Sequence, residues 1–121
     1  MVWKTRSPPC FTRTVCLDFD GVIHSHRSPW CGAEVIPDEP IHGTREAIAK
    51  LRQRYRVVVH SARCATDEGL VAVKAWLAQH NIEVDDVCQF KPPASVYVDD
   101  RAVPFRGDWE KVTEEINQFR K

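Results

Sequence analysis

Apolar and polar positions alternate along this chain in short blocks that read as strand, helix, strand, helix. Thr14 to Phe19 is a brief apolar run that breaks off at Asp18, Asp20 and Gly21, as a buried parallel strand does where it turns out to solvent. Thr44, Ile48, Leu51 and Tyr55 recur at helical spacing, and the β-branched run Arg56 to His60 follows as a second strand. Thr66 is placed to cap a helix whose apolar face is Leu70, Val73 and Leu77, and Asn81 to end it in a left-handed conformation. A short strand is expected around Val87 to Gln89, another at Ser95 to Asp99, and a further one at Val103 to Phe105. Asp108 should cap a last helix carrying Trp109, Val112, Ile116 and Phe119, with Trp76 and Trp109 as buried or half-buried anchors.

This alternation predicts an α/β fold, a three-layer sandwich with a parallel Rossmann-like sheet flanked by helices. Its 121 residues fit one domain, residues 1–121. Ser7-Pro8-Pro9 marks residues 1–13 as a loose arm, and the aperiodic stretch 22–40, rich in His, Ser, Pro and Trp, reads as a flap or small hairpin. No apolar stretch approaches membrane-spanning length and the start has no signal-peptide pattern, so a soluble, cytoplasmic protein is expected. Five cysteines without a CxxC pair fit reduced thiols. Lysine plus arginine equals aspartate plus glutamate at 17 each, so net charge does not indicate nucleic acid, though it does not exclude it. Oligomerisation is left open.

Ligands of parallel sheets bind beyond the carboxyl ends of the strands. Asp18 and Asp20, Ser61, and Asp99 and Asp100 all fall at that edge. Four carboxylates gathered there would repel unless a cation sat among them, and a hard divalent ion that shares its shell with phosphate, Mg²⁺, suits such oxygens. Ile23 occupies the position where an EF-hand loop requires glycine, which removes that type of calcium site. His24 and His26 lack a third ligand in sequence and read as solvated loop histidines. Cys64 has no cysteine-protease context and reads as structural. No Walker-type or dinucleotide glycine motif is present.

In order, DFDGV at 18–22, VVVHSAR at 57–63, Lys91 in FKPPA and VYVDDRA at 96–102 resemble the four motifs of the haloacid dehalogenase (HAD) superfamily. The resemblance spans roughly residues 14 to 110 and implies a Mg²⁺-dependent phosphatase working through an aspartyl-phosphate. Asp18 would be the nucleophile and Asp20 the general acid and base, Ser61 and Lys91 would bind the phosphoryl group, and Arg63 would contact the substrate. Asp99 and Asp100 would hold the metal with Asp18 and the main-chain carbonyl of Asp20. Cap domains of larger members have no room here, because 40 residues separate Asp20 from Ser61 and 29 separate Ser61 from Lys91. An uncapped site would be closed by the 22–40 loop or another subunit, or would take bulky phosphates.

Three rival functions use parts of the same pattern. A nucleotide or nucleic-acid end phosphatase, or a phosphotransferase, would use the same chemistry. A receiver-type signalling domain would place the phosphorylated aspartate mid-chain and its acid pair first, the reverse of the order here. A non-catalytic phospho-ligand module would not need all four motifs intact.

Overall fold

The computed structural model describes residues 12–120. Four strands, β1 (Thr14–Leu17), β2 (Arg56–His60), β3 (Asp86–Cys88) and β4 (Val96–Val98), form one sheet in the order β3-β2-β1-β4. Every pairing is parallel. Helices α1 (Thr44–Leu51), α2 (Asp67–Gln79) and α3 (Trp109–Gln118) flank it, in a small Rossmann-like three-layer arrangement. A short 3₁₀ turn, Ala62–Ala65, joins β2 to α2.

Register explains the core. Val15 lies opposite Val57 and Leu17 opposite Val59, so the period of two puts all four on one sheet face. They join Ile48 of α1 with Val73, Trp76 and Leu77 of α2 in a single buried cluster, completed by Ile82, Val84 and Val87. Two successive crossovers landing on one face is the outcome expected of right-handed β-α-β connections. Cys16, paired with Val58 and Tyr97, faces the other side. Removing a Val or Leu side chain of this cluster from water stabilises the fold by about 1.5–3 kcal/mol each.

The helix ends follow their sequence signals. The Thr66 hydroxyl accepts the Gly69 N–H at 3.1 Å, and the Asp108 carboxylate accepts the Lys111 N–H at 3.1 Å. Asn81 has φ 57°, and Ile82 N–H reaches back to the Leu77 carbonyl at 2.9 Å, closing α2. At the amino end of the sheet Asp85, buried, accepts the Val57 N–H at 2.8 Å and the Arg52 guanidinium at 2.9 Å, tying α1 to β2 and β3.

Two expectations need correction. Residues 103–105 form no strand, because Pro104 has no N–H to give a ladder and Phe105 is exposed. Trp109 is 71% exposed and packs its ring against that of Phe105, whereas Trp76 is buried as expected. β4 is an exposed edge strand, with Val96, Tyr97 and Val98 all partly open to solvent. The arm proposed for 1–13 lies almost wholly outside the described residues. Among the described residues no helix is long and apolar enough to cross a membrane.

Candidate active site

The carboxyl ends of β1, β2 and β4 open onto a cleft of about 460 Å³. It is lined by Asp18, Asp20, Ser61, Lys91, Asp99 and Asp100, the expected residues apart from Arg63, and by His26, Trp30, His60, Ala62 and Arg101. Residues as far apart in sequence as Asp18 and Asp100 meet because β1 lies between β2 and β4.

Asp18 leaves β1 with its N–H on the Val98 carbonyl at 2.9 Å, which fixes it against the edge strand. Burial pushes its carboxyl up to about 6; the Phe19 N–H opposes this, and Asp99, Asp100 and Asp20 add to it. Asp18, Asp99 and Asp100 each offer one oxygen, all within 4.8 Å of one another. An all-oxygen, anionic donor set of this spacing fits a hard divalent cation such as Mg²⁺, with water completing its shell. Gly21, at φ 84°, lets the Asp100 carboxylate approach, since a Cβ there would lie 2.2 Å from Asp100 Oδ2. The glycine of the DFDGV segment therefore serves the acid pair at 99–100.

Ser61, 3% exposed, caps the 3₁₀ turn by accepting the Arg63 N–H at 3.1 Å. Because its oxygen is used there as an acceptor, its own O–H is left to donate into the cleft. Lys91 is exposed and rests its ammonium 4.5 Å from the Tyr97 ring centroid, while the Tyr97 hydroxyl donates to the Pro92 carbonyl at 2.6 Å. Asp99 Oδ1 accepts the Arg101 N–H at 2.8 Å. Burial, and then the charge of Lys91, lower the pKa of His60.

Arg63, expected to face the substrate, is 2% exposed and lies beneath the cleft instead. Its Nε donates to both Asp20 oxygens at 2.9 and 3.1 Å, and its Nη1 donates to the carbonyls of Gly32, Ala33 and Val35 at 2.9–3.1 Å. Trp30 covers the guanidinium at 4.5 Å. Burying that cation is tolerable because a carboxylate and three carbonyls receive its protons.

His24 is likewise not the solvated loop residue expected from its sequence context. It is fully buried, stacked on Phe19 and edge-on to Trp76, with Nδ1 2.8 Å from Asp20 Oδ1 and Nε2 accepting the Asp38 N–H at 3.1 Å. His26, at φ 55°, brings its Nδ1 to 3.6 Å from Asp20. Asp20 thus supplies the third donor that sequence did not show. Both His24 nitrogens and the Asp20 carboxylate are already hydrogen-bonded, so Asp20 and His24 form a bonded pair with His26 lying alongside.

The 22–40 segment is irregular yet tightly bound. Ser25 and Ile41 N–H groups pair with the Glu39 and Ile23 carbonyls, and Asp38 accepts the N–H groups of Arg27 and Ser28 and the Ser28 hydroxyl. These contacts, the Ser28 hydroxyl foremost, lower the Asp38 pKa. Gly69 matters for the same region, because a Cβ on it would meet the Arg63 carbonyl oxygen at 1.8 Å. Sequence reading passed over Gly69 and Asp38 and misread His24; a glycine in the first turn of a helix and a histidine four residues after an aspartate were the signals available. The four described cysteines are free thiols, and burial raises the pKa of Cys64, against a nucleophilic role.

No family model and no curated protein matches this chain. Two solved structures are similar to it in fold. A chain of a structure described as the Pnkp1/Rnl/Hen1 RNA repair complex aligns with TM-score 0.51 and 18% identity over 95% of this protein and 34% of that chain. A chain of a structure described as the Pnkp1/Rnl/Hen1 complex aligns with TM-score 0.50 and 16% identity over 97% of this protein and 38% of its own length. This protein therefore spans little more than a third of the chains it resembles, and the likeness establishes the fold.

Proposed function

We propose that this protein is a Mg²⁺-dependent phosphomonoester hydrolase of HAD type that works through an aspartyl-phosphate on Asp18. One observation carries the reading: Asp18, Asp20, Ser61, Lys91, Asp99 and Asp100, scattered over more than eighty positions of sequence, line one cleft.

In the first half-reaction an Asp18 carboxylate oxygen attacks phosphorus and the P–O bond to the leaving group breaks, while Asp20 delivers a proton to the departing oxygen. In the second, water attacks phosphorus, Asp20 takes its proton, and the Asp18 carboxylate leaves with phosphate released. Ser61 and Lys91 donate to the non-bridging oxygens, where charge is densest during transfer. Asp18, Asp99 and Asp100 would hold Mg²⁺, which when bound would supply the charge neutralisation that lets an anionic nucleophile approach an anionic phosphate.

The test is hydrolysis of an aryl phosphate with and without Mg²⁺, comparing the wild type with Asp18→Asn. Metal-dependent turnover lost in the variant is expected, by at least about 10³-fold. Equal activity in the two would rule the mechanism out.

A narrower reading concerns the substrate, a phosphate on a nucleotide or a nucleic-acid end. Trp30 is 58% exposed at the cleft wall, backed by Arg63, and an aromatic face beside a phosphate site suits base stacking. The fold likeness to chains of an RNA repair complex agrees with it. Trp30→Ala should raise KM for phosphorylated oligonucleotides about 10-fold or more, by loss of one stacked base, and leave KM for a small alkyl phosphate unchanged. Equal effects on both would remove this reading.

A further inference from the structure

An acid and base used in both half-reactions has to keep its carboxylate at one angle through a cycle in which its proton leaves and returns. Asp20 is held from two sides, and both struts run to the same loop. Arg63 connects its carboxylate to the carbonyls of residues 32, 33 and 35. The second strut, His24, connects Asp20 Oδ1 to the backbone of Asp38.

The histidine strut has a defined proton. The Asp38 N–H points at Nε2, so Nε2 must present its lone pair, and the ring proton therefore sits on Nδ1 and points at Asp20. Ring rotation would break both bonds and is blocked by Phe19 at 5.5 Å on one face and the edge of Trp76 at 5.6 Å. Asp38 is itself immobilised, because its carboxylate takes three donors from Arg27 and Ser28 and its carbonyl accepts the Trp76 indole N–H at 3.1 Å. His24 loads Oδ1, leaving Oδ2 with Arg63 as its single partner among the described residues.

We infer that His24 is a positioning residue for Asp20: its Nδ1–H, fixed by the Asp38 N–H, sets which carboxylate oxygen faces the leaving group and makes the 22–40 loop part of the acid–base device. This rests on the phosphatase reading above.

The experiment compares wild type, His24→Phe, His24→Asn and His24→Gln in full-length protein, with rates normalised to the folded fraction. The Asn amide nitrogen can reach the place of Nδ1, whereas Gln reaches that of Nε2. Expected are a roughly 10- to 100-fold fall in kcat for His24→Phe with KM little changed, as for loss of a residue that orients a reacting group. With an aryl phosphate, whose leaving group needs little protonation, phosphoenzyme should accumulate in that variant, because the second step then depends on Asp20 more than the first. His24→Asn should recover most of the lost kcat although its melting temperature stays low, and His24→Gln should not. Wild-type kcat in His24→Phe, or equal losses in the Phe and Asn variants, would overturn the positioning role while wild-type turnover left the phosphatase reading standing. A wild type without turnover or phosphoenzyme would overturn both.

Discussion

The two halves of the cleft are built differently. On the Asp20 side the groups that hold the acid are tied down: Arg63 and His24 are buried, each runs from Asp20 to the 22–40 loop, and that loop is stitched by Asp38. On the other side Lys91 and Asp99 are exposed, before and after an edge strand whose three residues are all partly open to solvent. The first half fixes an angle and the second supplies charge. An acid and base must be aimed before substrate arrives, whereas an ammonium or a carboxylate can be drawn into place by the ions it binds. If that contrast holds, perturbing the buried half should cost rate, and perturbing the open half should cost affinity for metal or phosphate.

The largest effect is expected at Asp20 itself. Asp20→Asn keeps the shape and removes the proton carrier, so kcat should fall about 10²–10⁴-fold, the span of general acid–base catalysis, as measured by steady-state hydrolysis. Lys91→Ala should instead raise KM at least as much as it lowers kcat. A variant pair with the reverse pattern would break the contrast.

Next come changes beneath the two halves. Gly69→Ala drives a methyl group into the Arg63 carbonyl, which must shift. It should cost about 2–3 kcal/mol by denaturant unfolding, as overpacking does, and should lower kcat because Arg63 carries Asp20. Asp85→Ala removes a buried carboxylate that accepts the Val57 N–H and the half-buried Arg52 guanidinium at the far end of the sheet and should cost about 1–3 kcal/mol, with kcat per folded molecule unchanged. The pair separates damage to the fold from damage to the site.

A smaller effect follows from Asp18. Its folded pKa of about 6 lies above its ordinary value of 3.8, so between those pH values the native state binds more protons than the unfolded chain, and metal-free stability falls as pH rises through that window. The full shift would be worth about 3 kcal/mol, and solvent screening of a half-exposed group reduces it to about 1. Asp18→Asn should therefore unfold later than wild type at pH 7.5 without metal, and Mg²⁺ should remove most of that difference. Thermal melts at pH 4.5 and 7.5, with and without Mg²⁺, check both statements. Smallest of all, Ile116→Ser on the exposed part of α3 should change stability by about 0.5 kcal/mol or less and leave kinetics untouched.

How much of this the sequence disclosed follows the same division. The strands β1 and β2, the caps Thr66 and Asp108 and the turn at Asn81 were legible because each rests on local chemistry, a β-branched run, a side-chain acceptor or a left-handed residue. The six cleft residues were legible from motif order alone. His24, Asp38 and Arg63 were misplaced or overlooked because their burial depends on carbonyls and N–H groups of an aperiodic loop, and no hydrophobic period reports that. Trp109 was misjudged for the opposite reason: the helical pattern of α3 is sound, with Val112 buried, but the packing stops there.

The most direct test of the central claim is to find where phosphate is carried. Asp20→Asn protein, incubated with Mg²⁺ and an aryl phosphate and quenched in acid, should hold one phosphoryl group on the peptide containing Asp18, and Asp18→Asn should hold none. Acid-stable phosphate, or metal-dependent turnover, that persists in Asp18→Asn would contradict the account.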